Sequence, residues 1–530
     1  MAFLLLGALV LAGVGAQVLD REPTSAPPAA TPVALRPITP VVSALALSGA
    51  PTDLVRELPA RATGRFSLLG VTWDDPRSLV DGELRVRARS AADGRWGRWH
   101  RLDNDSDAGD GTGTGTGARG GTEAVWVGDS DAVQVSVHGE TGARLPEGMR
   151  LDLVDPGRAP AGDAADAERV AFAVPRAEGA DPVPQATDAD GPAETGAVTP
   201  AQDEEPAPAT SGTATSTTTT TTTIVTGSGP TTSATTTVAT TPTTTSSTTP
   251  VSPVNAPTLV TRTGWRADET LRKDPPELAD HLGVVFVHHT ATTNDYDCAD
   301  SPAIVRSLYA YHVKSLGWND LGYNFVVDKC GTLFEGRAGG VDQPVIGAHT
   351  LGFNTASTGI SVIGTYTSTG APAAARATVA HVAAWKLGAY GISPFGSSTL
   401  VAGVSKPGYT QGSSYSFAAV SGHRDAHATE CPGAAFHAQL PGIRTWATRP
   451  AAATVSVTGG ATTVGSTAYT RGTPTLSWAI TSPGRLVKDY QVLVDGTVTA
   501  TTTTRSATLA LVPGAHRVSV RTRHMAGTTA

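Results

Sequence analysis

Three side chains in the second half of the chain have the chemistry of metal ligands. The stretch Gly422-His423-Arg424-Asp425-Ala426-His427-Ala428-Thr429-Glu430-Cys431-Pro432-Gly433 sets an imidazole and a thiol eight positions apart, and Pro and Gly then halt regular structure. Neutral imidazole nitrogen and thiolate sulfur both suit Zn²⁺, which takes four ligands at structural sites and three plus an open position at catalytic ones. A third donor comes from Val284-Val285-Phe286-Val287-His288-His289-Thr290, where a short buried strand delivers a histidine to its carboxyl end. That end is the ligand-binding edge of open α/β sheets. His288, His423 and Cys431 are therefore the candidate metal site, and Zn²⁺ the candidate cofactor. The alternatives are a core histidine for His288, His427 in place of His423 if the segment is helical, and half of a disulfide for Cys431. His289 points to the opposite face of a regular strand, so it is not expected to share the ion. Arg424 and Asp425 are expected to pair and pin the loop.

Such donors need a rigid frame. From Gly264 to about Thr448 strand and helix signals alternate, which argues for an α/β domain with a central mixed β-sheet flanked by helices. Pro302 to Ser315 puts Ile304, Leu308 and Tyr311 on one helical face. Tyr323–Asp328 and Thr332–Glu335, joined by Lys329-Cys330-Gly331, form a β-hairpin pattern. Ile360–Gly364 is a further strand. Ala374–Tyr390 is an Ala-rich helix with Val379, Val382, Ala383 and Leu387 inward, ended by Gly391.

On four motifs taken in order, the region from about Gly264 to Arg449 resembles the peptidoglycan recognition proteins and the related phage amidase-type lysozymes. The motifs are Val287-His288-His289-Thr290-Ala291, Gly317-Trp318-Asn319-Asp320-Leu321-Gly322-Tyr323-Asn324-Phe325, Gly347-Ala348-His349-Thr350, and Gly422-His423-Arg424-Asp425 through Cys431-Pro432-Gly433. The resemblance covers about a third of the chain and implies a zinc-dependent N-acetylmuramoyl-L-alanine amidase acting on peptidoglycan. A non-catalytic peptidoglycan-binding protein of the same fold is the alternative, since some members have lost the ligands and only bind. The resemblance favours His423 over His427. It makes Tyr323 the catalytic tyrosine, whose hydroxyl would donate to a developing oxyanion; a core tyrosine is the alternative. Thr429 falls where phage relatives carry a lysine and many amidase-active recognition proteins a threonine, so any catalytic role is through its hydroxyl. His349 is a candidate for lining the groove and touching substrate, or else a structural loop histidine. Glu335, at a hairpin end, stays without a role. With Cys431 at the metal, Cys298 and Cys330 remain as a pair, which in an exported protein reads as a disulfide; the resemblance supports it against two free thiols. After Glu335-Gly336-Arg337 the chain has Ala338-Gly339-Gly340 where many diaminopimelate-preferring relatives have Gly-Trp, so stem-peptide preference does not carry over.

The 530 residues are enough for several domains. Residues 1–19 hold a nearly unbroken apolar run, Ala2 to Leu19, expected to be a signal peptide or membrane anchor. Residues 40–156 alternate apolar and polar positions with Asp/Gly breaks, the pattern of a small β-sandwich. Its Trp96, Trp99 and Trp126 suit either a sugar-stacking face or a core, the core being the commoner fate. Residues 157–254 pass from an acidic Ala/Pro tract into a Thr/Ser tract with seven consecutive threonines, Thr217 to Thr223. That composition predicts a disordered spacer, of a kind often O-glycosylated, holding two domains apart. Eleven Asp/Glu against two Arg between Asp163 and Glu205 account for the whole net charge of −8. The rest is close to neutral, which argues against nucleic acid as a partner. The amidase region spans 259–449, and 451–530 reads as an immunoglobulin- or fibronectin-III-like β module. The expected setting is secreted, cell-surface or cell-wall associated.

Overall fold

The computed structural model describes residues 35–47, 49, 53–103, 118–141, 144–158, 252–464 and 467–530. The apolar run at 2–19 and nearly all of the spacer lie outside the described residues. Among the described residues no helix is long and apolar enough to cross a membrane.

The N-terminal strands are β1 (Val41–Ala46), β2 (Val55–Trp73), β3 (Gly82–Ser90), β4 (His100–Arg101), β5 (Gly120–Gly121), β6 (Val125–Gly139) and β7 (Arg150–Asp155). They join one antiparallel sheet in the order β1-β7-β2-β6-β3-β4, with β5 on β2, rather than the two separate sheets of the expected sandwich. The physical reason lies in β2. Nineteen residues long, it breaks register with β6 at Leu58/Arg61, Ala62/Phe66 and Phe66/Leu68, and each break bends the strand so that one chain serves neighbours along its whole length. Alternate residues such as Leu84, Val86, Val133, Val135 and Val137 fill the core. Trp126 is buried, whereas Trp96 and Trp99 lie over the Arg87 guanidinium.

The amidase region is built on a five-stranded mixed sheet. Its elements are β8 (Val284–His289), α1 (Ser301–Ala310), β9 (Phe325–Val327), β10 (Leu333–Glu335), β11 (Ser357–Val362), α2 (Ala373–Gly388), the hairpin β12 (Ser397–Val401) and β13 (Ser414–Ala418), β14 (Val420–Gly422), α3 (Ala434–His437) and α4 (Leu440–Thr448). The order β10-β9-β11-β8-β14 puts β8 near the centre, parallel to β11 and β14. All six β8 residues are buried, which is why it reads as a continuous apolar run rather than an alternation. α1 is shorter than expected: Tyr311–Ser315 continues as a π turn. Cys298 and Cys330 form a disulfide across 32 residues.

Two boundaries shift. Val254, assigned to the spacer, is buried in the core with Val285, Val379 and Leu440. Leu35 and Ile38, placed ahead of the first domain, are also buried, and the Ile38 N–H donates to the Arg266 carbonyl. Residues 451–530 form two three-stranded antiparallel sheets, β15 (Thr454–Val464), β16 (Thr467–Ala479) and β19 (Ser506–Thr508), and β17 (Val487–Val494), β18 (Thr497–Thr502) and β20 (Val518–His524). Leu486 of this module enters the amidase core, and the His524 ring meets the Trp446 carbonyl at 3.1 Å.

The larger correction concerns the two domains that the spacer was expected to hold apart. They share a core. Leu68, Ala124, Trp126 and Val154 from the N-terminal sheet pack in one cluster with Ile304, Leu308, Tyr311 and Leu316. The Tyr311 hydroxyl donates to the Thr122 carbonyl at 2.9 Å, and Arg306 donates to the Pro156 carbonyl. Gly70 makes room for that tyrosine, since a Cβ there would stand 2.4 Å from its hydroxyl. At roughly 1.5–3 kcal/mol per large apolar side chain removed from water, Leu68, Trp126, Val154 and Tyr311 together favour docking by several kcal/mol. A protease site introduced at Thr217–Thr223 should therefore give a nicked protein whose halves co-elute on native gel filtration and part only in denaturant. Two native peaks would mean that this contact does not hold the domains together.

Candidate metal centre

β8 ends beside β14, so the carboxyl ends of two parallel neighbours bring His288 and His423 together. Cys431 arrives from the turn after His423, where the Arg424 N–H donates to the Cys431 carbonyl at 2.8 Å. Gly433 lets that turn close: φ is +93°, and a Cβ would fall 2.3 Å from the Tyr366 backbone. One ligand atom each from His288, His423 and Cys431 lies within 4.8 Å of the others, and all three residues are buried. His427 is outside this group. Its ring stacks on His423 with centroids 5.4 Å apart, and its Nδ1 meets Lys406 Nζ at 3.2 Å.

The donors fit a tetrahedral ion. Cys431 Sγ and His288 Nδ1 are 3.7 Å apart; Zn–S and Zn–N bonds of about 2.3 and 2.0 Å at a tetrahedral angle place two such atoms roughly 3.5 Å apart. Burial, then the nearby His423, His349 and His289, holds the His288 imidazole well below its ordinary pKa, in the neutral form that ligates. His288 Nε2 is buried and makes no hydrogen bond among the described residues, so the protein alone does not offset the desolvation of this ring. The Cys431 sulfur accepts from the His289 N–H.

Tyr323 comes from the loop before β9. Its ring centroid is 5.3 Å from that of His288, and the residue is 5% exposed. His312, which the sequence reading passed over, backs it with ring centroids 5.8 Å apart, while His312 Nδ1 accepts from the Gly322 N–H at 3.0 Å. Burial lowers the His312 pKa to about 3, so it stays a neutral acceptor. A histidine in the last turn of a helical pattern is the only signal the sequence offered. His349 lies edge-on to His288 at 5.2 Å, buried, with Nδ1 3.1 Å from the Thr350 hydroxyl; its placement by Asn354, which accepts from the His349 and Thr350 N–H groups, was also unforeseen. The Thr429 hydroxyl accepts from the Cys431 N–H at 3.0 Å, which makes it a brace for the cysteine loop. Asp425, expected to pair with Arg424, instead accepts from the Gly422 N–H and meets His437 Nε2 at 2.8 Å. Glu335 accepts from the Arg262 N–H, away from the metal donors. His289 does face away: its Nδ1 accepts from the Tyr366 N–H, and burial lowers its pKa to about 3.

Comparison with known proteins concerns the domain that carries these residues. Residues 280–434 match the family model described as N-acetylmuramoyl-L-alanine amidase, and residues 21–170 match one described as Rv3811 N-terminal galactose-binding domain-like. Peptidoglycan-recognition protein SC2 of Drosophila simulans is 31% identical over 192 residues, 36% of this chain and 86% of that protein. The N-acetylmuramoyl-L-alanine amidase of Homo sapiens is 33% identical over 198 residues, 36% of this chain but 29% of that protein. Among solved structures, wild-type Drosophila PGRP-LB aligns over 34% of this chain and 91% of its own at 26% identity and a TM-score of 0.26. The second half of the chain thus carries an amidase-type domain. The chain belongs to the family of peptidoglycan recognition proteins and N-acetylmuramoyl-L-alanine amidases.

Proposed function

We propose that the chain is an exported, zinc-dependent N-acetylmuramoyl-L-alanine amidase that cleaves the amide between N-acetylmuramic acid and the first residue of the peptidoglycan stem. The observation that carries this is the burial of two imidazoles and one thiol within 4.8 Å of each other, with the Tyr323 ring beside them. His288, His423 and Cys431 would hold the ion. Zinc bound there supplies the Lewis acidity that makes water nucleophilic at neutral pH. Tyr323 donates its phenolic proton in a hydrogen bond to the scissile carbonyl oxygen as charge builds there, inside a site that excludes bulk water. His312 keeps that ring in place. Thr429 holds the Cys431 loop through its hydroxyl, and His349 lines the groove and contacts substrate. The disulfide supports an oxidising, extracytoplasmic setting at the cell surface or wall.

The test is incubation of the full chain with purified muropeptide, with and without a chelator, followed by mass spectrometry. Free stem peptide should appear only without chelator and return when zinc is restored. Binding to peptidoglycan with no release at any zinc concentration would move the protein to the recognition-only branch of its family.

A further inference from the structure

Two cavities lie in succession along the seam between the domains. The one nearer the metal donors, about 430 Å³, has Arg101 and Asp103 on one side and His289, Thr365, Thr367 and Glu430 on the other. The second, about 560 Å³, sets Arg98, His100 and Trp126 against Asp295, Tyr296 and Asp297. Passing from the second to the first, the N-terminal wall rises from Arg98 to Asp103 while the opposite wall falls from Asp297 to His289. The two segments therefore run antiparallel along the seam, which ends at His289 and Glu430, the chain neighbours of His288 and Cys431.

Both walls are built rather than incidental. On one side β4 pairs with β3, Leu102 is buried with its N–H on the Leu84 carbonyl, and the Glu123 N–H donates to the Asp103 carbonyl. On the other, the Trp126 N–H donates to the Thr292 hydroxyl, Asn294 hydrogen-bonds both the N–H and the carbonyl of Thr365, and Cys298 is tied to Cys330. His289 in the first cavity is 2% exposed, and its Nε2 has no hydrogen-bond partner among the described residues.

We propose that this interdomain seam binds the glycan strand of the substrate, so that the N-terminal domain forms one wall of the groove. The inference rests on the amidase reading above. Carboxylates, hydroxyls, the Arg98 and Arg101 guanidiniums and imidazoles mix acceptors and donors as sugar hydroxyl and acetamido groups require. Two cavities in a row suit a polymer of repeating units better than the single end of a peptide stem. The carboxylates on both walls also disfavour a stem with free carboxylates.

The test compares the full chain with Arg101→Gln and Asp297→Asn, both on exposed wall positions outside the metal donors. The readout is the ratio of kcat/KM on long glycan strands bearing stem peptides to kcat/KM on a single N-acetylmuramoyl peptide. A seam that reads glycan gives a ratio at least tenfold lower in each variant. A ratio equal to wild type, even with both constants reduced, overturns the proposal. Should wild type cleave neither substrate, the amidase reading falls by itself, and titration with peptide-free glycan strands decides the seam. Weaker binding in both variants then upholds it, and absent or unaltered binding overturns it.

Discussion

Replacing Cys431 with alanine should remove zinc and hydrolysis together. The sulfur is buried, 3.7 Å from His288 Nδ1, and accepts from the His289 N–H. Alanine leaves two imidazoles, one at the end of β8 and one just past β14, and breaks the group of three donor atoms that lie within 4.8 Å of one another. A two-histidine set holds zinc weakly and without a defined geometry. The loss should exceed the roughly hundredfold that removing a group hydrogen-bonded to a ligand costs. Serine should behave the same way, because a hydroxyl is not ionised near neutrality as a coordinated thiol is. Metal content by plasma mass spectrometry and stem-peptide release are the two measurements. A variant that keeps both zinc and activity would sink the ligand assignment. His427, stacked on His423 and bonded to Lys406, would be the next donor to consider.

The donor set was legible because it depends on local pattern. Four apolar residues in a row announce β8, and the histidine that follows must stand at the strand's end. Pro432 and Gly433 after Cys431 announce the turn that returns the thiol to it. The hairpin β9–β10 and the helix α2 could be read for the same reason, and the disulfide followed from the cysteine count and the resemblance once Cys431 was set aside. What escaped was the contact between distant segments that carry no motif of their own. Tyr311 looked like one more core residue on a helix face, yet its hydroxyl reaches Thr122, 189 residues earlier. No period in either segment carries that information. The acidic and threonine-rich spacer suggested two domains working apart, but spacer composition says nothing about whether the flanking surfaces fit. The same gap hid the placing of Arg101 and Asp103 opposite His289 and Glu430, since edge-strand charges read as solvated until a partner surface is known. His312 was missed because its part is to support another residue through its ring and one nitrogen.

Tyr323→Phe should separate chemistry from binding. The ring packs between His288 and His312, with centroids 5.3 and 5.8 Å away, and phenylalanine fills the same space. The backbone is held independently, since the Arg337 N–H donates to the Tyr323 carbonyl at 2.9 Å. Only the hydroxyl goes. Because a donor aimed at a developing oxyanion strengthens as charge appears, its removal acts on kcat rather than on ground-state affinity. By analogy with other oxyanion donors the cost is about 3 kcal/mol, or roughly a hundredfold in rate. Zinc content and peptidoglycan affinity should stay near wild type, in contrast to Cys431→Ala, so the two variants fail for different reasons. Full activity in Tyr323→Phe would make the tyrosine a packing residue. A rise in KM at constant kcat would place its hydroxyl on bound substrate before charge develops. A hundredfold drop in kcat with zinc retained is the outcome that marks Tyr323 as the group stabilising the transition state.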